Sequence, residues 1–119
     1  EEAFSVRVLP KCKPDYMVLT NLFRDQLDRY GEMDITMNRL ARAMKMAPNM
    51  KLLVNADDSL STYLAMDNKN PYTTYGISEQ VFKDQNSKEI REGRFCKRCG
   101  HKMEYKFYHY SQLGDYYCR

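Results

Sequence analysis

Two groups of residues carry most of the chemistry this chain can do, three cysteines toward one end and a set of carboxylates toward the other. Cys96-Lys97-Arg98-Cys99-Gly100 is a Cys-x-x-Cys turn closed by glycine, and Cys118 comes eighteen residues after Gly100. Zinc takes four thiolate or imidazole ligands in a tetrahedron, and two Cys-x-x-Cys turns roughly 15 to 20 residues apart bring four thiolates together. The chain supplies the first turn and one cysteine of the second. Cys96, Cys99 and Cys118 are therefore expected to hold a structural, closed zinc site, with the fourth ligand two positions past Arg119. His109 and Cys12 are the alternatives for that ligand. A redox Cys-x-x-Cys would open a helix after a strand, whereas Cys99 is followed by glycine and an aromatic stretch. Cys12 stands apart and is expected to be a buried thiol.

The carboxylates follow two short apolar runs. Thr20 to Gly31 packs Arg24, Asp25, Asp28 and Arg29 into one polar segment, and Asn55-Ala56-Asp57-Asp58 follows Leu52-Leu53-Val54. In an open α/β sheet the carboxyl ends of the strands form the ligand crevice. Acidic residues gathered there suit a magnesium ion with bound phosphate, because the cation prefers oxygen ligands and retains waters. Taken alone, these residues read more readily as caps and turns, Asp28 pairing with Arg29 and Asp57-Asp58 starting a helix.

The elements that position these groups follow from periodicity. Tyr16 to Leu19, bounded by Pro14 and by polar residues, suits a short strand buried on both faces. Met33, Met37, Leu40, Ala41 and Met44 recur at helical spacing between Gly31 and Pro48, with Arg39, Arg42 and Lys45 opposite, and this stripe is expected to face the core. Lys51 to Asn55 repeats the strand pattern, so strand, helix and strand form a parallel, right-handed βαβ unit. Ser59 or Asp58 caps a second helix through about Met66, and Tyr72 to Tyr75 is a third strand ended by Gly76. From Phe95 onward aromatics alternate with cysteines. An antiparallel ribbon stapled by a metal accommodates that composition, with its hairpin near Ser111 to Asp115 around Gly114.

The chain has 119 residues, 43% of them hydrophobic, which allows one domain with a small appendage. Residues 1–82 form the expected α/β domain and residues 83–119 the expected ribbon. The net charge of +3 is uneven: residues 83–119 hold nine Lys or Arg against five Asp or Glu, and residues 1–82 hold ten against eleven. Cysteines in paired spacing favour a reducing compartment. No apolar run approaches the roughly 20 residues that span a bilayer, and no signal sequence opens the chain. It begins Glu1-Glu2 and ends one residue after a cysteine, so it is read as an excised piece.

Thr20-Asn21-Leu22 with Asp25-Gln26-Leu27-Asp28-Arg29-Tyr30-Gly31, followed by Val54-Asn55-Ala56-Asp57-Asp58, resembles the central ATPase domain of the Mur ligases. That family carries Thr-Asn, Asp-His-Leu-Asp and Asn-Ala-Asp-Asp at these places. Within it, the Arg-Asp-Gln-Leu-Asp-Arg-Tyr-Gly motif and a four-cysteine ribbon resemble the group that amidates lipid II. The resemblance implies a fragment of a Mur-ligase-type parallel-sheet ATPase domain with an inserted antiparallel zinc ribbon. It further implies a cytoplasmic, ATP- and magnesium-dependent carbon–nitrogen ligase that converts the D-glutamate α-carboxylate of lipid II, at the membrane surface, to isoglutamine. Ammonia would come from a glutaminase subunit in a heterodimer.

By the same resemblance Asp25 and Gln26 are catalytic residues beside magnesium or phosphate, and Asn21, Asp28, Asn55, Asp57 and Asp58 lie near the nucleotide and its metal. Gln26 stands where most members have a metal-binding histidine; its amide can offer an oxygen but cannot mimic imidazole. No lysine occupies the place of the family's carbamylated lysine, near Ala41 or Arg42. No Gly-x-x-x-x-Gly-Lys-Ser/Thr loop occurs, so this piece alone is expected to be inactive. A different reading takes residues 83–119 as a nucleic-acid-binding or protein-interaction module, with Arg94, Lys97, Arg98, Lys102 and Lys106 among the tyrosines.

Overall fold

The structure, a computed structural model, describes residues 2–22, 32–79, 95–110 and 113–118. Their elements are α1 (Glu2–Cys12), β1 (Tyr16–Leu19), α2 (Glu32–Met46), β2 (Lys51–Asn55), α3 (Ser59–Asp67), β3 (Tyr72–Tyr75), β4 (Glu104–Tyr110) and β5 (Leu113–Tyr117). The strands β1, β2 and β3 form a parallel sheet in chain order. Leu19 pairs with Val54 and Asn55 with Tyr75, so the strands finish side by side. The expected parallel β-α-β arrangement is present, with α2 and α3 as the two connections.

One face of the sheet carries the core. Leu52 and Val54 are fully buried, and with Leu19 they meet Met37, Leu40, Ala43 and Met44 of α2 and Leu60, Leu64 and Ala65 of α3. Each large side chain buried in this way contributes about 1.5–3 kcal/mol. Met37 and Met44 of α2 face inward as their spacing predicts, while Arg39, Arg42, Lys45 and the terminal Met46 are exposed. Asn70, itself buried, donates to the carbonyls of Ala47 and Met50 at 2.8 and 3.1 Å and fastens the turn before β2 to the turn before β3.

The expectation that β1 is buried on both faces is overturned. Tyr16 is 63% exposed and Val18 55% exposed. Both helices pack on the face formed by Leu19, Leu52 and Val54, which leaves the alternate residues of β1 uncovered because successive strand side chains point to opposite faces. The first helix was also not expected from the sequence. Pro10 falls in the last turn of α1, where it forfeits a single helical hydrogen bond. Lys13 then ends the helix with φ 46°, its N–H donating to the Leu9 carbonyl at 3.0 Å. Cys12, at the end of this helix, is exposed, and the expected buried thiol is corrected: Leu9 turns inward from α1 while Cys12 does not.

The second unit is a two-stranded antiparallel ribbon of β4 and β5. Phe95 and Lys102 bridge across the Cys96–Gly100 turn and close a smaller loop beside it. Gly114 lies within β5, opposite Tyr108, and not in the connecting hairpin as its position suggested. The reason is steric: a Cβ on Gly114 would lie 2.1 Å from the Phe107 carbonyl oxygen. The glycine serves a close strand approach at an irregular step of the ladder.

Candidate functional site

The carboxyl ends of β1 and β2 are joined by side chains rather than only by the sheet. Asn55, the last residue of β2, donates from Nδ2 to the Thr20 carbonyl at 2.8 Å. Its Oδ1 accepts from the Asp57 N–H at 3.0 Å. The second bond makes an Asx turn, which aims Asp57 and Asp58 away from the strand direction. Asn21 and Leu22 continue from Thr20, so the segment after β1 and the segment after β2 form one loop cluster.

Asp58 sits at the centre of that cluster with no exposed surface. As the N-cap of α3 it accepts from the Leu60 N–H at 3.3 Å through Oδ1. Oδ2 accepts from the Leu22 N–H at 2.8 Å and from the Ser61 hydroxyl at 2.5 Å. A buried acceptor surrounded by donors is the arrangement that makes burial of a polar side chain tolerable. The capping role follows from Asp at the start of a helical pattern; its hold on Leu22, 36 residues earlier, left no sequence signal.

Asp57 is half-buried and points toward β3. Its Oδ2 accepts from the Ile77 N–H at 2.9 Å. Gly76 permits the approach, since a Cβ there would come within 3.1 Å of the carboxylate. The Ala56 N–H donates to the Tyr75 carbonyl at 2.7 Å, and the Tyr75 hydroxyl donates to the Leu19 carbonyl at 3.3 Å. A cleft of about 390 Å³ opens beside this turn, lined by Ala56, Asp57, Gly76, Ile77 and the ribbon residues Gly114 to Tyr116. The structure thus brings Asn21, Asn55, Asp57 and Asp58 to one edge of the sheet. Asp25, Gln26 and Asp28 lie outside the described residues.

The three cysteines converge. The Sγ atoms of Cys96, Cys99 and Cys118 lie within 4.8 Å of one another. Gly100 takes φ +75° and its N–H donates to the Cys96 carbonyl at 2.8 Å, which curls the turn so that backbone donors face the sulfur. Hydrogen bonds from the backbone of Cys99 and Arg98 hold the Cys96 thiol down to about 7. Its hydrogen bond with Cys99, 3.3 Å away, followed by one with Cys96, pushes the Cys118 thiol up to about 12. Three sulfurs at this spacing resist losing all their protons unless a cation replaces them, and they fit a thiophilic metal ion.

The ribbon's tyrosines turn toward each other and toward α3. Tyr105 stacks on Tyr108 with ring centres 4.2 Å apart, and Tyr116 tilts against Tyr105 at 5.8 Å. The Tyr116 hydroxyl donates to Thr62 Oγ1 on α3 at 2.9 Å. Burial pushes the hydroxyl of Tyr105 up to about 12 and raises that of Tyr116. Lys97 reaches Asp34 of α2 at 2.9 Å, in an exposed ion pair of small energetic weight. These docking contacts were not legible in the sequence, where the tyrosines read only as a composition shift.

The parallel sheet, its strand-end loops and the appended ribbon correspond to a known class of domain. The chain belongs to the Mur ligase family, matching the Mur ligase middle domain over residues 2–117. It is 37% identical over its full 119 residues to the MurT subunit of lipid II isoglutaminyl synthase (glutamine-hydrolyzing) from Staphylococcus aureus (strain COL), covering 26% of that protein. It is 31% identical over 118 residues to the MurT subunit from Streptococcus pneumoniae (strain ATCC BAA-255 / R6), again covering 26%. A more distant likeness, 33% over 86 residues, is to UDP-N-acetylmuramoyl-L-alanyl-D-glutamate--2,6-diaminopimelate ligase of Geobacter metallireducens (strain ATCC 53774 / DSM 7210 / GS-15), covering 66% of this chain and 17% of that protein. The chain therefore spans about a quarter of the length of its MurT relatives.

Proposed function

We propose that this chain is part of the ATP-dependent subunit of a carboxylate-amidating ligase. That subunit converts the D-glutamate α-carboxylate of lipid II to isoglutamine, with ammonia delivered by a glutaminase partner subunit. The observation that supports this reading is the strand-end cluster in which Asn21, Asn55, Asp57 and Asp58 meet at one edge of a parallel sheet, in a chain that shares its full length with the MurT subunits.

In this reaction a carboxylate oxygen attacks the terminal phosphoryl group of ATP, ADP leaves, and an acyl phosphate forms. Ammonia then attacks the acyl carbon, inorganic phosphate leaves, and the amide loses a proton to solvent. Such chemistry needs fixed donors and acceptors that position the phosphates. Magnesium, held by oxygen ligands, supplies neutralisation of the charge developing on those phosphates. In this reading Asp25 and Gln26 stand nearest the reacting groups, with Asp28 beside them. Asn21, Asn55 and Asp57 shape the nucleotide side of the crevice, and Asp58 holds the loops in register. Most of the substrate-binding surface belongs to other parts of the protein, and residues 1–119 alone are proposed to be inactive.

Cys96, Cys99 and Cys118 hold a structural zinc, and the ribbon braces the α/β unit. This scaffolding reading is favoured over a nucleic-acid surface because Tyr105, Tyr108 and Tyr116 stack on one another or dock on α3 instead of standing free as platforms for bases. In this reading the enzyme works in the cytoplasm, on lipid II at the membrane surface. Among the described residues no helix is long and apolar enough to cross a membrane.

The test is reconstitution of the full-length protein with its glutaminase partner, ATP, magnesium, glutamine and lipid II, followed by mass analysis of the stem peptide. Amidation that requires both ATP and glutamine, and that is lost in Asp25→Asn, is expected. Absence of ATP-dependent amidation in the complete system would overturn the assignment. Metal analysis of the same reduced protein is expected to find one zinc per chain, lost in Cys99→Ser.

A further inference from the structure

The ribbon holds the same turn that the sheet presents to the crevice. The Gly114 N–H donates to the Asp57 carbonyl at 3.0 Å. Two residues on, the Tyr116 hydroxyl donates to Thr62 Oγ1 at 2.9 Å, and Thr62 donates in turn to the Asp58 carbonyl at 2.9 Å. The directions are consistent, because a hydroxyl donates one proton while accepting another. Strand β5 thus grips the carbonyl of Asp57 directly and that of Asp58 through one side chain. The Asp57 carboxylate accepts from the Ile77 N–H at 2.9 Å. Gly114 to Tyr116 also form one wall of the cleft at the strand ends. Cys118 lies two residues past Tyr116, so a metal bound by the cysteines fixes the end of the strand that makes these contacts.

We infer that Gly114 and Tyr116 are positioning residues, which hold the Asn55–Asp58 turn in register with the end of β3 and pass metal occupancy of the cysteine cluster to the strand-end crevice. The identity of the ligand affected, a nucleoside triphosphate, rests on the function proposed above; the mechanical link does not. No residue of the ribbon needs to touch the ligand for this. The segment after β1 holds the Asn55 and Asp58 side chains, while Asp57 is held by the residues after β3 and by β5, so loss of the β5 contact leaves Asp57 with fewer fixed partners.

The experiment uses the full-length protein with its partner subunit. Its first arm follows amide hydrogen exchange before and after zinc is stripped with a chelator and after zinc is restored. The amides of Asp57 and Ile77 are expected to lose protection on stripping and to recover it on reloading; protection that ignores metal loss would overturn the inference. Its second arm is Tyr116→Phe, which keeps the ring and removes a single hydroxyl. About fivefold faster exchange at the same amides, the scale of one neutral hydrogen bond, is expected with zinc content and melting temperature at wild-type values. The KM for ATP is expected to rise by a similar factor with kcat little changed. A variant whose exchange is unchanged at those amides, or changed only in step with a lower melting temperature, would refute the positioning role. Faster exchange with an unchanged KM for ATP would uphold the link and remove the turn from the nucleotide site, so the two readings fail separately.

Discussion

The buried carboxyl group of Asp58 accepts a hydrogen bond from the backbone of Leu22 at 2.8 Å, joining the segment after β1 to the start of α3 across 36 residues. The same group caps the helix and takes the Ser61 hydroxyl. Asp58 thus fixes where the loop bearing Asn21 leaves the sheet. Replacement by alanine strands these donors in a site without solvent. Asp58→Ala is expected to lower stability by about 2–4 kcal/mol, read from the denaturation midpoint. Asp58→Asn keeps the shape but places an NH₂ group among donors, and it is expected to fall between the two. A loss below about 0.5 kcal/mol in the alanine variant would show that the cap is dispensable.

Asn55 uses both ends of its amide, as donor to Thr20 and as acceptor from Asp57. Asn55→Asp has nearly the same size but no donor, and it sets an oxygen against the Thr20 carbonyl. A cost of about 1–2 kcal/mol is expected, with faster hydrogen exchange at the end of β1. Asn55→Ser, which loses the reach to Thr20, is expected to behave similarly. Wild-type exchange in both variants would mean that the strand ends are held by the sheet alone.

Burial pushes the Tyr105 hydroxyl from its ordinary value of 10.0 up to about 12 and raises Tyr116 in the same direction. The folded state therefore keeps these protons at a pH where the unfolded chain gives them up. Their contribution to stability is complete below pH 10.0 and is lost progressively as the pH climbs toward about 12. Unfolding midpoints measured across this range are expected to drop, and the drop is expected to be smaller in Tyr105→Phe. A tyrosinate absorbance titration in which every tyrosine ionises at its ordinary value would contradict this account.

Much of the sheet was readable from the chain because its signals are local. Leu52-Leu53-Val54 bounded by polar residues, the three- and four-residue spacing from Met37 to Met44, and Asp58 before a helical run each state an element within a few positions. The cysteine spacing likewise states a shared site, and the structure draws Cys96, Cys99 and Cys118 to within 4.8 Å. The errors arose where distant partners decide. Tyr16 and Val18 look like core residues until both crossover helices occupy the other face, and Cys12 reads as a buried thiol until α1 is seen to turn Leu9 inward instead.

By itself the sequence determined the order and type of most elements, the family to which they belong and the clustering of thiolates, because periodicity, capping and ligand spacing act over short stretches of chain. Only the tertiary structure decided that Asp58 turns inward to hold Leu22, that Gly114 admits a strand contact instead of making a turn, and that the ribbon grips Asp57. Those relationships join residues tens of positions apart, and their energies come from burial and from donors meeting acceptors in space, which no local pattern records.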